Sequence, residues 1–230
     1  MVKDKGIIIF IQARINSTRL KGKILQTFFG ETVIDRIIRI SKKISNKKKI
    51  FIVSGDKAKN YILKSYADKH GINIFFSNEN NVLERFKKTI KKYNFKNKVI
   101  LRITSDNYLI QPIIVKALVK NFVKKKVDYA YIKPLSHFAG EIFKGCLLFS
   151  IDSKNSKNKE HVTYEIRKKN IFKIFALSKN FYGIDHEKFF TLDTLIDLKK
   201  MQKNEYLFPS LKKLNCVNTI KKMQKKWKFV

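Results

Sequence analysis

Residues 6–13 read "GIIIFIQA", an apolar run too short for a helix and without a wet face, the pattern of a strand covered on both sides. In "ETVIDRIIRISKKI" (31–44), Val33, Ile34, Ile37, Ile38, Ile40 and Ile44 recur at mostly helical spacing, so a helix is expected there. The alternation then repeats. "KKIFIVSG" (48–55) predicts a second strand, and "KAKNYILKSYADKHG" (57–71) a helix stopped by Gly71. "INIFFS" (72–77) predicts a third strand and "NVLERFKKTIKKYN" (81–94) another helix. "KVILRITSD" (98–106) reads as a fourth strand, and "QPIIVKALVKNFVKKK" (111–126) as a helix entered through Pro112. Strands and helices taking turns in this way build βαβ units on a mostly parallel sheet. After "VDYAYI" (127–132) the pattern is less regular. There "GCLLFSI" predicts a strand, "KEHVTYEIRKK" and "TLIDLKKMQKN" predict helices, and "PSLKKLNCVNTIKKMQKKWKFV" predicts a helical pair or tail.

A chain of 230 residues, 44% apolar and 13% aromatic, can bury one sizeable core and is not composed like a disordered protein. No linker, repeat or low-complexity insert interrupts it. One α/β domain over 1–230 is therefore expected, with an irregular region at about 127–190 and a helical tail at about 203–230. "IIIFI" is too short for a signal-peptide core, and no run reaches transmembrane length, so a cytoplasmic protein without membrane insertion is expected. Cys146 and Cys216 lie far apart without metal-ligand spacing and read as ordinary reduced thiols.

Charge changes the picture less than its size implies. The net +33 invites a nucleic-acid reading, yet only seven of the 51 basic residues are arginine, and the 44 lysines are spread along the whole chain. That is the distribution of a solvated surface, not of a groove. Such a surface still attracts anionic substrates.

Doubly wound sheets bind ligands at the carboxyl ends of their strands. At the end of the first predicted strand lies "ARINSTRLKGK" (13–23), which is neither a Walker A loop nor a dinucleotide turn. Its chemistry lies in side chains. Arg14 and Arg19 offer planar forks to phosphate oxygens, Lys23 a point charge, and Ser17 and Thr18 hydroxyls. At the end of the fourth strand lies Ser105-Asp106, and Asp193 precedes a later predicted helix.

"IQARINSTRLKGKIL" resembles the "ARxxSTRLPGKxL" signature of the cytidylyltransferases that activate acidic sugars, including the 3-deoxy-manno-octulosonate and acylneuraminate enzymes. It is most similar to the subgroup named for spore-coat polysaccharide biosynthesis protein F. "NNVLERFKKTIKKYN", "LRITSDNYLIQPIIV", "KEHVTYEIRKK" and "FFTLDTLIDLKKM" resemble further motifs of that subgroup, in the same order, over roughly residues 6–202. The resemblance implies a three-layer αβα nucleotide-diphospho-sugar transferase fold, Rossmann-like. It also implies the reaction of CTP with a sugar acid to give a CMP-sugar and pyrophosphate, with Mg²⁺ as cofactor and a homodimer as the common assembly. It further implies that Asp106 and Asp193 bind the metal and that Arg14, Arg19 and Lys23 clamp the triphosphate, with Arg14, Lys23 and Asp106 the catalytic set. Gln12, Ala13, Ser17 and Arg85 would line the nucleotide site, and Arg102, Glu141, Glu160, His161 and Arg167 the acceptor side.

Each of these residues also has an ordinary reading. Asp193, with Thr194 and Asp197 after it, fits a helix cap, and Asp106 a turn. Arg85 fits a helix surface, and Arg102, on a buried strand, either pairs with an internal carboxylate or reaches the site. Several positions depart from the family pattern: Lys21 for proline, Ser105 for glycine, Tyr108 for proline, and Asn80 and Asn81 for acids. Two other functions stay open, a relative acting on a nucleotide-sugar or another small anion such as a phosphonate, and a basic nucleic-acid-binding protein on an inactive enzyme fold.

Overall fold

A computed structural model describes residues 6–17, 19–28, 30–133, 138–169, 172–177, 181–185, 192–204 and 217–226. Its centre is strand β1 (Ile8–Ala13). β1 is flanked by parallel strands β4 (Ile50–Ser54) and β6 (Val99–Thr104), with Ile11 opposite Ile52 on one side and Ile103 on the other. Between β1 and β4 come a two-stranded ribbon, β2 (Thr27–Phe28) and β3 (Glu31–Thr32), and helix α1 (Val33–Lys42). The sequence places a helix from residue 31. It starts two residues later because Thr32 is its cap, accepting the Asp35 N–H on its hydroxyl at 3.2 Å.

Helices α2 (Lys57–Asn60) and α3 (Ile62–His70) lead to β5 (Asn73–Phe76), and α4 (Val82–Lys92) returns to β6. Helix α5 (Pro112–Lys124), with proline at its start, leads to β7 (Tyr129–Ile132) and β8 (Glu141–Lys144). Short helix α6 (Ser156–Glu160), strand β9 (Ile174–Leu177) and helices α7 (Leu195–Asn204) and α8 (Val217–Lys226) follow. The seven-stranded sheet has the order β5-β4-β1-β6-β8-β7-β9, and only β8 runs against its neighbours.

Alternation along β1 assigns its side chains to two cores. Ile9, Ile11 and Ala13 pack with Ile34, Ile37 and Ile38 of α1, Leu63 and Ala67 of α3, and Leu118 of α5. Ile8 and Phe10 face the other side, where α4 supplies Leu83, Phe86 and Ile90. The Phe10 and Phe86 rings meet edge to face at 5.2 Å. Helices thus cover both faces, which explains why the first strand has no polar alternation.

The late region departs from the sequence reading in two places. The strand expected in "GCLLFSI" is a 3-10 turn over Gly145–Ser150, and the strand lies just before it, pairing Glu141 with Arg102 and Phe143 with Ile100. Four residues with a charge at each end carry too little apolar signal to register. The helix expected over 159–169 is instead the end of α6, a set of turns and a 3-10 turn at Ile166–Lys168. Its helical spacing was real, since Val162 and Ile166 are both fully buried, but Thr163 between them is drawn to a tertiary hydrogen bond with Glu141 at 2.6 Å. The expected tail lies mostly outside the described residues, apart from α8. Among the described residues no helix is long and apolar enough to cross a membrane.

Candidate active site

After β1 the chain is carried to one side of the sheet, to β4 and β5, and then crosses to β6 on the other. The carboxyl ends of β1 and β6 therefore diverge and open a crevice at the switch point. The Ser105 N–H donates to the Gln12 carbonyl at 2.9 Å and closes its floor. A cavity of about 630 Å³ lies above, walled by Gln12, Ala13, Arg14, Ser17, Arg19 and Lys23 from the first strand and its loop, by Glu79, Asn80 and Arg85, and by Ser105 and Asp106. A second cavity of about 330 Å³ shares Gln12, Arg19, Asp106, Glu160 and His161 with it and extends to Arg102, Glu141, Arg167 and Asp193. The residues singled out in the sequence therefore gather around two adjoining cavities, although Gln12 and Asp193 stand at opposite ends of that set in the chain. Thr18 lies outside the described residues.

The loop over residues 15–22 folds back on a single peptide group. The Ile15 carbonyl accepts from both Ser17 N–H and Gly22 N–H at 3.0 Å, and Gly22 takes a left-handed φ of +67° that a side chain would oppose. Lys23, just after this turn, is buried and reaches inward. Its Nζ donates to Asp106 Oδ2 and to Asp193 Oδ1, each at 2.8 Å. Arg19, 65% exposed at its side chain, donates to the same Asp193 oxygen at 3.1 Å. Arg14 makes no hydrogen bond or ion pair with the described residues, and its guanidinium stands at the wall of the larger cavity. Lys21, the departure from proline, is exposed.

Asp193 is not the cap of α7. That role falls to Thr194 and Asp197: the Thr194 hydroxyl accepts the Asp197 N–H at 3.2 Å, and the Asp197 carboxylate accepts the Thr194 N–H at 2.8 Å. A complete capping box beside it leaves the Asp193 side chain to face Lys23. Two carboxylates converging on one ammonium are two hard oxygen donors at one point. They suit a divalent cation that takes its remaining ligands from phosphate and water, as Mg²⁺ does. Among the described residues no group of three or more His, Cys, Asp or Glu side chains forms a metal cage.

Two of the singled-out residues hold structure beneath the cavities. Arg85 is 1% exposed, and its guanidinium donates to the carbonyls of Asn78 (3.1 Å), Glu79 (3.0 Å) and Val53 (3.4 Å), fixing the loop before α4. Burial lowers its pKa to about 10, with Glu79 opposing and Arg14 adding to the shift, so it remains a cation near neutral pH. Glu141 is buried under the smaller cavity at the centre of a polar cluster. It pairs with Arg102 and with Arg167 (2.9 Å) and accepts from the Tyr129 and Thr163 hydroxyls. Arg102 also donates to Gln12 Oε1 at 2.9 Å, joining the two cavities' walls. Tyr129 and Thr163 went unnoticed in the sequence because the strand that carries Glu141 was misplaced there.

Burial pushes the Glu141 carboxyl up, but Arg102 and Arg167, together with the two hydroxyl donors, hold it below its ordinary 4.5. Its contribution to stability is therefore complete above that value and is lost as pH falls through the lower folded one. Glu141→Gln leaves two guanidiniums without a counter-charge and is expected to cost about 3 kcal/mol at pH 7. Urea midpoints measured from pH 7 to pH 3 should start lower in E141Q and fall less steeply below pH 4.5 than in the wild type. Parallel curves would show that Glu141 is not titrating in this window.

Two family departures also have a place. Tyr108 is buried and stacks on Phe28 with ring centroids 5.3 Å apart, while its carbonyl accepts from Arg36 Nε at 2.5 Å. Asn81 caps α4, its side-chain oxygen accepting the Glu84 N–H at 2.9 Å.

A mostly parallel sheet with one reversed strand, and a crevice at its switch point lined by Arg14, Arg19 and Lys23, make this an α/β protein with a site for an anionic ligand. The cytidylyltransferase family profile matches residues 8–226, and the chain belongs to that family. It is 31% identical over 170 residues, 70% of each chain, to spore coat polysaccharide biosynthesis protein SpsF of Bacillus subtilis (strain 168). In fold it is similar to a cytidylyltransferase from Leptospira borgpetersenii serovar Hardjo-bovis (strain JB197), with a TM-score of 0.82 at 23% identity, covering 97% of this chain and 95% of that one. It also matches the structure of CMP:2-keto-3-deoxy-manno-octonic acid synthetase complexed with CTP, with a TM-score of 0.64 at 13% identity, covering 88% and 99% of the two chains.

Proposed function

We propose that this enzyme transfers a cytidylyl group from CTP to an acidic sugar, giving a CMP-sugar and pyrophosphate for polysaccharide or glycan synthesis. The observation that carries the reading is Lys23 seated between Asp106 and Asp193 where two cavities meet. The larger cavity has the cations for a triphosphate, Arg14, Arg19 and Lys23. At the Arg102 end of the smaller one two guanidiniums share the single carboxylate of Glu141, a local surplus of donors for an acid group, although the cavity also carries Asp106, Glu160 and Asp193. The CTP bound to the octonic acid synthetase and the polysaccharide role in the name of the Bacillus relative support this choice.

In this reading a sugar hydroxyl attacks the α-phosphorus. The new P–O bond forms as the bond to the β-phosphate oxygen breaks, the hydroxyl proton passes to solvent, and pyrophosphate leaves with that electron pair. Arg14 and Arg19 hold and neutralise the departing phosphates, and Lys23 fixes both carboxylates and places a charge near the reacting centre. Asp106 and Asp193 would hold Mg²⁺, which when bound supplies further neutralisation of phosphate charge. Arg102 and Arg167, oriented by Glu141, would receive the acid group, and Glu160 and His161 line the passage between the cavities.

Thermal melts with CTP and with UDP-sugars separate this reading from that of a nucleotide-sugar enzyme. At a hundredfold excess over its Kd, CTP should raise the midpoint by about 5 °C or more. Stabilisation by a UDP-sugar with none by CTP would overturn the reading.

A further inference from the structure

Asn60 is fully buried at the end of the one-turn helix α2, a polar side chain on the stripe that continues with apolar Leu63 and Ala67. Its Oδ1 accepts the Ile15 N–H at 2.8 Å. Its Nδ2 donates to Glu79 Oε2 at 2.8 Å and to the Asp56 carbonyl at 2.8 Å. Ile15 is the residue whose carbonyl closes the phosphate-facing loop, and Glu79 belongs to the loop on the opposite wall of the larger cavity. Asn60 is thus one amide bonded at its two ends to the two walls.

Glu79 is itself held for this contact. The Asp56 N–H also donates to its Oε2 at 2.8 Å, and Arg85 grips its carbonyl from below. The carboxylate lies so close to the chain that a Cβ added at Gly55 would come within 1.7 Å of Oε2, so only glycine leaves it room. Asn60 itself does not line the cavity and acts on the site only through Ile15 and Glu79.

We propose that Asn60 is a positioning residue: it sets the distance between the loop that carries Arg14 and Arg19 and the loop at residues 78–81, and so pre-forms the nucleotide cavity. The binding arm of its test rests on the nucleotide reading above, while the exchange arm does not. An amide is needed because one end must accept and the other donate. Asn60→Asp keeps the acceptor for Ile15 but sets a second carboxylate against Glu79. Glu79→Gln supplies a donor that answers it.

The test measures CTP affinity by calorimetry and hydrogen exchange of the Ile15 amide in the wild type, N60D, E79Q and the double variant. N60D should bind CTP about tenfold more weakly and exchange the Ile15 amide faster. The double variant N60D/E79Q should recover to within about threefold of the wild type on both measures. Wild-type affinity in N60D, or a double variant no better than N60D, would overturn the proposal. If N60D does not fold, E79A decides: it removes the acceptor that ties Asn60 to the opposite wall without touching Ile15, and an unchanged Ile15 exchange rate in E79A would overturn it. Absence of CTP binding by the wild type would count against the nucleotide reading alone, and the exchange comparison would still decide the role of Asn60.

Discussion

Asp106→Asn is expected to reduce CTP-dependent pyrophosphate release by about 10²–10³ while leaving the fold intact, the loss typical when one preorganised electrostatic group is removed. The change keeps the shape of the side chain and deletes its charge. Lys23 retains Asp193 at 2.8 Å, so its own position is still fixed on one side. The Asp106 side chain is part-exposed just past the end of β6, so the melting midpoint should move by no more than a few degrees. Steady-state rates and a melt on the same preparation check both halves. Unchanged pyrophosphate release would remove Asp106 from the chemistry, and a collapsed midpoint would make it a structural residue.

Arg14→Ala is expected to raise the KM for CTP about 10- to 100-fold, since charge-assisted hydrogen bonds to phosphate contribute about 1.5–3 kcal/mol. The KM for the acceptor should stay within about threefold. The asymmetry comes from the placing of the side chain: Arg14 borders the larger cavity and is absent from the walls of the smaller one, whereas Arg19 borders both. Arg14 makes no internal ion pair with the described residues, so its loss leaves no buried charge exposed and stability should hold. Substrate titrations of the variant against each substrate in turn are the measurement. Equal increases in both KM values would mean that Arg14 acts on the site as a whole and not on the triphosphate.

The early fold was legible because its signals are local and agree with one another. The continuous run in β1, the α1 stripe and the proline opening α5 each specify an element without reference to the rest of the chain. The late region was not legible in the same way. β8 has four residues, and the inward Glu141 is tolerated only because Arg102, Arg167, Tyr129 and Thr163 come to it from three other segments. No local pattern announces a charge whose partners lie 12 to 39 positions away.

The same division runs through the candidate site. Arginines were informative against a background of lysine, and they led to Arg14 and Arg19. Whether Asp193 caps a helix or faces the crevice could not be read from "DTLID", because both alternatives use the same residues. The structure separates them by giving the cap to Thr194 and Asp197. Asn60 left one trace in the sequence, a polar residue three and seven positions before Leu63 and Ala67 on a stripe that is otherwise apolar. Its meaning depended on Ile15 and Glu79, which no spacing rule connects.

The most direct measurement is pyrophosphate release from CTP in the presence of Mg²⁺ and a panel of ulosonic and nonulosonic acids, with the corresponding neutral sugars as controls. Release that requires one of the acids and is absent with its neutral counterpart is the predicted result. Silence across the acids, or equal release with neutral sugars, would contradict the assignment of an acidic-sugar acceptor.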